Sequence, residues 1–141
     1  MTYLSNSEAE SEALGERLAR ALPAGGVVIA LYGELGAGKT AFVRGLARGL
    51  EIDDAVVSPT FTIVNEFSGK RELFHFDMYR LHDSDELFDI GWEDYLRRGG
   101  VCAVEWSENV PEAFDGTEIR VTIQKTSDTG REITIEGVEL C

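Results

Sequence analysis

The sequence predicts an α/β fold: a three-layer sandwich around a mixed, partly parallel central sheet that ends in an antiparallel C-terminal hairpin. Three observations predict it. Val27 to Tyr32 is a continuous apolar run of strand length, followed across a glycine-rich loop by a segment with helical spacing. A second compact apolar run, Val101 to Val104, ends in an acid. Towards the C-terminus two stretches alternate apolar and polar residues on either side of Ser127-Asp128-Thr129-Gly130, a strong hairpin signal.

Taken in order, the first element is a helix over Ser7 to Leu22. Ser7 is the N-cap, Glu10 completes a capping box, and Leu14, Leu18 and Leu22 share one face. Pro23, Gly25 and Gly26 end it, and Val27 to Tyr32 follows as a central strand covered on both sides. Phe42, Leu46 and Leu50, with Val43 and Ala47 beside them, then repeat as a helix. The segments "SPTFTIVNEF" and "ELFHFDMYR" are rich in β-branched and aromatic residues and read as strands joined through "SGKR". Asp83 or Ser84 caps a helical segment interrupted at Gly91, with Leu87, Phe88, Trp92 and Leu96 as its expected buried residues.

At 141 residues the chain is expected to form one domain, residues 1–141. Its 26 acidic and 13 basic residues give a formal charge of −13, spread along the chain, and its only lysines are Lys39, Lys70 and Lys125. Direct gripping of a phosphodiester backbone needs clustered cations, so any nucleic acid is expected to be held by another subunit. The polar, acidic N-terminus lacks the pattern of a signal peptide, and no apolar run approaches the roughly 20 residues of a membrane span. The expected setting is cytoplasmic, with Cys102 and Cys141 as free thiols.

Gly33, Glu34, Leu35, Gly36, Ala37, Gly38, Lys39 and Thr40 match G-x-x-x-x-G-K-[ST], the P-loop or Walker A pattern, between the central strand and a helix. Each fixed position has a chemical reason. Gly33, Gly36 and Gly38 let the backbone turn its amides towards a polyphosphate at close range. The following helix aims its orphan N–H groups and positive dipole end at the anion. Lys39 adds a charge for the β and γ phosphates, and the Thr40 hydroxyl is placed to ligate Mg²⁺. The expected fold is therefore P-loop NTPase-like. With no [NT]-K-x-D segment for guanine, ATP is the expected nucleotide.

Hydrolysis also needs an acid near the metal and a group to orient water. Glu105 after Val101 to Val104, and Asp77 after "LFHF", are acids delivered to strand ends, and the spacing leaves open which serves which role. Ser58 to Thr60 lies where nucleotide switches place a Thr that senses the γ-phosphate. His75 and His82 lack partners at metal-ligand spacing and read as structural. Among the aromatic residues Trp106 is notable as the neighbour of Glu105, although Tyr79, Trp92 and Trp106 all fit a core as well.

Together "GELGAGKTAFVRGLARGL", "SPTFTIVNEF", "FHFDMYRL", "DELFDIGWEDYL" and "VEWSE" resemble the TsaE family, in order and spacing, over most of residues 7 to 108. The resemblance implies an ATPase that acts with TsaB and TsaD, which carry threonylcarbamoyl transfer to adenosine 37 of tRNA. It implies that Gly36, Ala37, Gly38, Lys39, Thr40 and Ala41 hold the phosphates and that Thr40 and Glu105 ligate Mg²⁺. Asp77 matches the acid of the family's "HFD" motif, Thr60 its switch threonine, and Trp106 its usual "EW". Glu8, Gly130 and Arg131 match segments that lie against the nucleotide. Ala41 departs from the second threonine of many relatives, and "FTI" and "DMY" replace the commoner "YTL" and "DLY". Activity in isolation is expected to be weak, with catalytic groups completed by a partner. The alternatives are a small-molecule kinase, with Arg97 and Arg98 as its only nearby arginine pair, and an adaptor that binds nucleotide without hydrolysis.

Overall fold

The computed structural model describes residues 1–34, 36–53, 64–79, 81 and 83–140. The expected switch residues Ser58 to Thr60, the first part of "SPTFTIVNEF", Leu35, Arg80, His82 and Cys141 lie outside them.

The described residues form strands β1 (Thr2–Ser5), β2 (Val27–Tyr32), β3 (Val64–Phe67), β4 (Leu73–Asp77), β5 (Val101–Glu105), β6 (Ile119–Lys125) and β7 (Arg131–Glu136). The helices are α1 (Glu8–Ala21), α2 (Lys39–Gly49), α3 (Ser84–Asp89) and α4 (Trp92–Arg97). The sheet order is β1-β7-β6-β2-β5-β4-β3. Strands β6, β2, β5 and β4 run parallel, with β3 antiparallel to β4 at one edge; at the other, β7 is antiparallel to β6 and β1 to β7, so β1 runs in the direction of the central strands.

The apolar run of β2 is explained by this position, since it hydrogen-bonds β5 and β6 and has helices or loops on both faces. Alternate residues of β5 enter two different cores. Val101 and Ala103 join Leu14, Leu18, Phe42, Val43 and Leu46 beneath α1 and α2. Cys102 and Val104 join Phe74, Phe76, Leu87 and Trp92 on the opposite face. Each fully buried Phe or Leu of these clusters contributes about 1.5–3 kcal/mol. Burial pushes the free Cys102 thiol up to about 12, which leaves it a packing group.

Local chemistry sets the helix ends. The Glu10 amide donates to Ser7 Oγ at 3.1 Å, and the Glu10 carboxylate accepts from the Asn6 amide at 2.8 Å, one residue ahead of the expected box position. Asp83 caps α3 by accepting from the Glu86 amide at 3.2 Å. Gly91, at φ 96°, separates α3 from α4.

Two expectations are corrected. Phe88 and Leu96 are each 39% exposed while Leu87 and Trp92 are buried, because the break at Gly91 reorients two short helices that one continuous stripe would have aligned. The expected antiparallel C-terminal hairpin is formed by β6 and β7, with β6 lying inside the sheet beside β2. The polar N-terminus forms β1, held on β7 by ladder bonds that its composition does not advertise.

Candidate functional site

The carboxyl ends of three adjacent parallel strands meet at the start of α2. Leu31 of β2 pairs with Glu105 of β5, which pairs with Asp77 of β4, so both predicted acids stand side by side next to the loop that leaves β2. A cavity of about 660 Å³ opens there. It is lined by Gly36 to Ala41, Asp77, Tyr79, Glu105 and Trp106, by Asn6 to Glu8 and Ser11 of the N-terminal segment, by Arg44, and by Asp128, Thr129 and Arg131 of the β6–β7 hairpin. Its size falls within the roughly 300–1,000 Å³ of small-molecule sites.

Gly33, Gly36 and Gly38 all take positive φ, the conformation that glycine favours. A Cβ on Gly33 would stand 2.6 Å from the Ile123 carbonyl oxygen, so glycine is required for the loop to pass β6. Gly38 is the N-cap of α2 at φ 101°, and the first turn carries neither an acidic residue nor a side-chain cap. The start of the helix, Gly38 to Ala41, lines the cavity, where its positive dipole end suits an anion.

Lys39 is 4% exposed. Its Nζ donates to the Gly33 carbonyl at 2.5 Å and lies 3.5 Å from the centroid of the Trp106 ring. Burial draws its ammonium below the ordinary lysine range, an effect that Glu105 opposes. Trp106 holds this position through a left-handed backbone (φ 58°, ψ 42°), a sparsely populated conformation for a bulky residue, and its ring packs on Tyr79.

Glu105 is 3% exposed. Its Oε2 accepts from Thr40 Oγ1 at 3.3 Å and from His75 Nε2 at 2.5 Å. Asp77 Oδ1 accepts the Tyr79 amide at 3.0 Å, so this acid both caps a turn and lines the cavity. Burial raises its pKa, and the Tyr79 bond partly counters the rise. A hydroxyl and a buried carboxylate in contact are hard oxygen donors suited to Mg²⁺, and an uncapped helix terminus with a lysine suits a polyphosphate, so the residues present fit both groups.

Arg131 serves the loop. Its Nε donates to the Ala37 carbonyl at 2.8 Å and its Nη2 to the Gly36 carbonyl at 3.2 Å, while Nη1 holds the Gly130 and Ser127 carbonyls of its own hairpin. Gly130 closes that turn, where a Cβ would stand 2.5 Å from Thr126 Oγ1, and it is not among the cavity-lining residues. Glu8 reaches the cavity rim and accepts from Arg44 at 3.4 Å. Sequence reasoning passed over Ser11, Arg44, Asp128 and Thr129, which carry no motif, and took His75 as structural. The signal for His75 was its alternation with Phe74 and Phe76, which places it on the same strand face as Asp77.

A family model described as "Threonylcarbamoyl adenosine biosynthesis protein TsaE" matches residues 5–133. The chain is 38% identical to a tRNA threonylcarbamoyladenosine biosynthesis protein TsaE of Treponema pallidum, across 96% of this chain and 99% of that one. It is 42% identical to the Bacillus subtilis protein of the same name, across 86% of this chain and 77% of that one. The crystal structure of Bacillus subtilis YdiB superposes with a TM-score of 0.81 at 32% identity, covering 100% of this chain and 86% of that one.

Proposed function

The chain belongs to the TsaE family, and from that premise we propose that it binds ATP with Mg²⁺ and hydrolyses it slowly. In this reading it is an auxiliary protein for threonylcarbamoylation of tRNA adenosine 37, acting with TsaB and TsaD. The observation that carries the reading is the convergence, in one cavity, of the uncapped start of α2, Lys39, and the Thr40–Glu105 contact.

In this reading Gly36 to Ala41 present amides to the polyphosphate, and Lys39 exchanges the Gly33 carbonyl and the Trp106 ring for phosphate oxygens. Thr40 and Glu105 hold Mg²⁺, which neutralises part of the phosphate charge when bound. Asp77 lines the same cavity and orients the attacking water. Thr60 senses the γ-phosphate, as the resemblance implies. Arg131 holds the loop through the Gly36 and Ala37 carbonyls, and with Glu8 and Trp106 it borders the nucleotide. The charge of −13 suits a protein that leaves tRNA to its partners. A kinase would need arginines over the phosphates. Arg97 and Arg98 are instead paired with Glu93, Asp94, Glu66 and Glu72 and do not line the cavity.

Calorimetry with Mg²⁺ and ATP tests the binding: the reading expects saturable uptake that Lys39→Ala weakens by about tenfold or more. Phosphate release should rise when TsaB and TsaD are added, and Glu105→Gln should abolish release. No uptake, or equal uptake by Lys39→Ala, sinks the reading. Partner function that survives in Glu105→Gln favours the adaptor.

A further inference from the structure

His75 is fully buried in the middle of β4. An imidazole in such a place is costly unless its nitrogens are bonded, and an apolar side chain of similar size would fill the same space without that cost. Only Nε2 has a hydrogen-bond partner among the described residues, the Oε2 of Glu105 at 2.5 Å, whereas Nδ1 has none. Against a carboxylate oxygen, Nε2 is assigned as the donor of this bond.

The oxygen that accepts from His75 also accepts from Thr40 Oγ1. One carboxylate oxygen is thus held between the strand below it and the helix beside it. Two donors on Oε2 fix the torsion of a side chain that would otherwise sample several rotamers, and that side chain belongs to a residue lining the cavity.

Resting on the nucleotide reading above, we infer that His75 is a positioning residue, which orients Glu105 for the Mg²⁺ that accompanies the nucleotide. It touches neither phosphate nor water. Its contribution is to hold the acid in its metal-binding direction before the ion arrives, so that no rotamer freedom is lost on binding.

The test uses the 141-residue chain and three substitutions, His75→Gln, His75→Asn and His75→Leu. Glutamine places an N–H donor near the position of Nε2, asparagine places one near Nδ1, and leucine supplies volume alone. ATP affinity is measured by calorimetry in excess Mg²⁺ and again in EDTA, and folding is checked by thermal unfolding. In EDTA all variants should match the parent within about twofold, and the tightening produced by Mg²⁺ should fall about tenfold or more in the Asn and Leu variants and be kept by Gln. If Leu retains the full Mg²⁺ effect, or Gln loses as much as Asn, the inference is overturned. Should His75→Leu fail to fold, the Gln and Asn pair still decides. In the unaltered chain, long-range ¹⁵N–¹H spectra should show a His75 ring protonated on Nε2, and protonation on Nδ1 alone would overturn the proposal. No ATP uptake by the parent removes the nucleotide reading itself. Uptake by the parent with all three variants indistinguishable from it removes only the role of His75.

Discussion

Replacing Gly45 by alanine pits two known effects against each other. Alanine favours an exposed helix over glycine by about 1 kcal/mol. At this position, however, the new Cβ would stand 1.8 Å from the Glu12 carbonyl oxygen and 2.5 Å from its carbon. Ordinary contact begins at 3.4 Å, so α1 has to retreat by about 1.6 Å, and both obstacles are backbone that no rotamer change moves aside. The retreat loosens Leu14 and Leu18 from Phe42 and Leu46 and stretches the pairs that the solvent-facing Arg44 and Arg48 make with Glu12. Overpacking of this kind costs about 3 kcal/mol, leaving a net loss of about 2 kcal/mol. For a domain of this length that corresponds to a fall in melting temperature of about 6–8 °C. Urea and thermal unfolding followed by circular dichroism read it directly. ATP affinity should fall as well, because α1 carries Glu8 and Ser11 to the cavity. A variant as stable as its parent, or more stable, refutes the claim that close helix contact decides this position.

Two further outcomes follow from the site. Asp77 has a raised pKa in the folded chain, so its ionised form is disfavoured there, and stability drops as pH climbs from the ordinary 3.8 through the raised value. Asp77→Asn should therefore raise the urea midpoint at pH 7, with the gain fading below pH 3.8; equal midpoints at pH 7 count against it. Arg131→Lys keeps a charge but cannot span the Gly36 and Ala37 carbonyls together, so hydrogen exchange over residues 36–38 should quicken by about tenfold or more. Unchanged protection there means that the hairpin does not hold the loop.

Much of this architecture was legible residue by residue. The unbroken apolar run of β2 announced burial on both faces, Ser7 and the Asp83–Ser84 pair announced helix starts, and the glycine-lysine-threonine string announced a loop between a central strand and a helix. Glu105 and Asp77 were visible as acids closing apolar strands, but their division of labour was not. What each carboxylate touches depends on neighbours distant in the chain: Thr40 and His75 lie 65 and 30 residues from Glu105 and meet on one carboxylate oxygen.

The N-terminal strand escaped notice because edge pairing with β7 uses backbone groups that every residue possesses. The close fit of α1 on α2 escaped for a related reason. Gly15, Gly45 and Gly49 read as helix weakeners within their own segments, and only the approach of a second backbone shows what the missing Cβ permits. Local periodicity and turn chemistry are written in neighbouring residues, so the order of the elements from α1 onward and the glycine loop between β2 and α2 could be taken from the sequence alone. The sheet order, the pairing of Glu105 with His75, and the clamp of Arg131 on the loop belong to the tertiary structure, since each joins groups whose encounter no local pattern encodes.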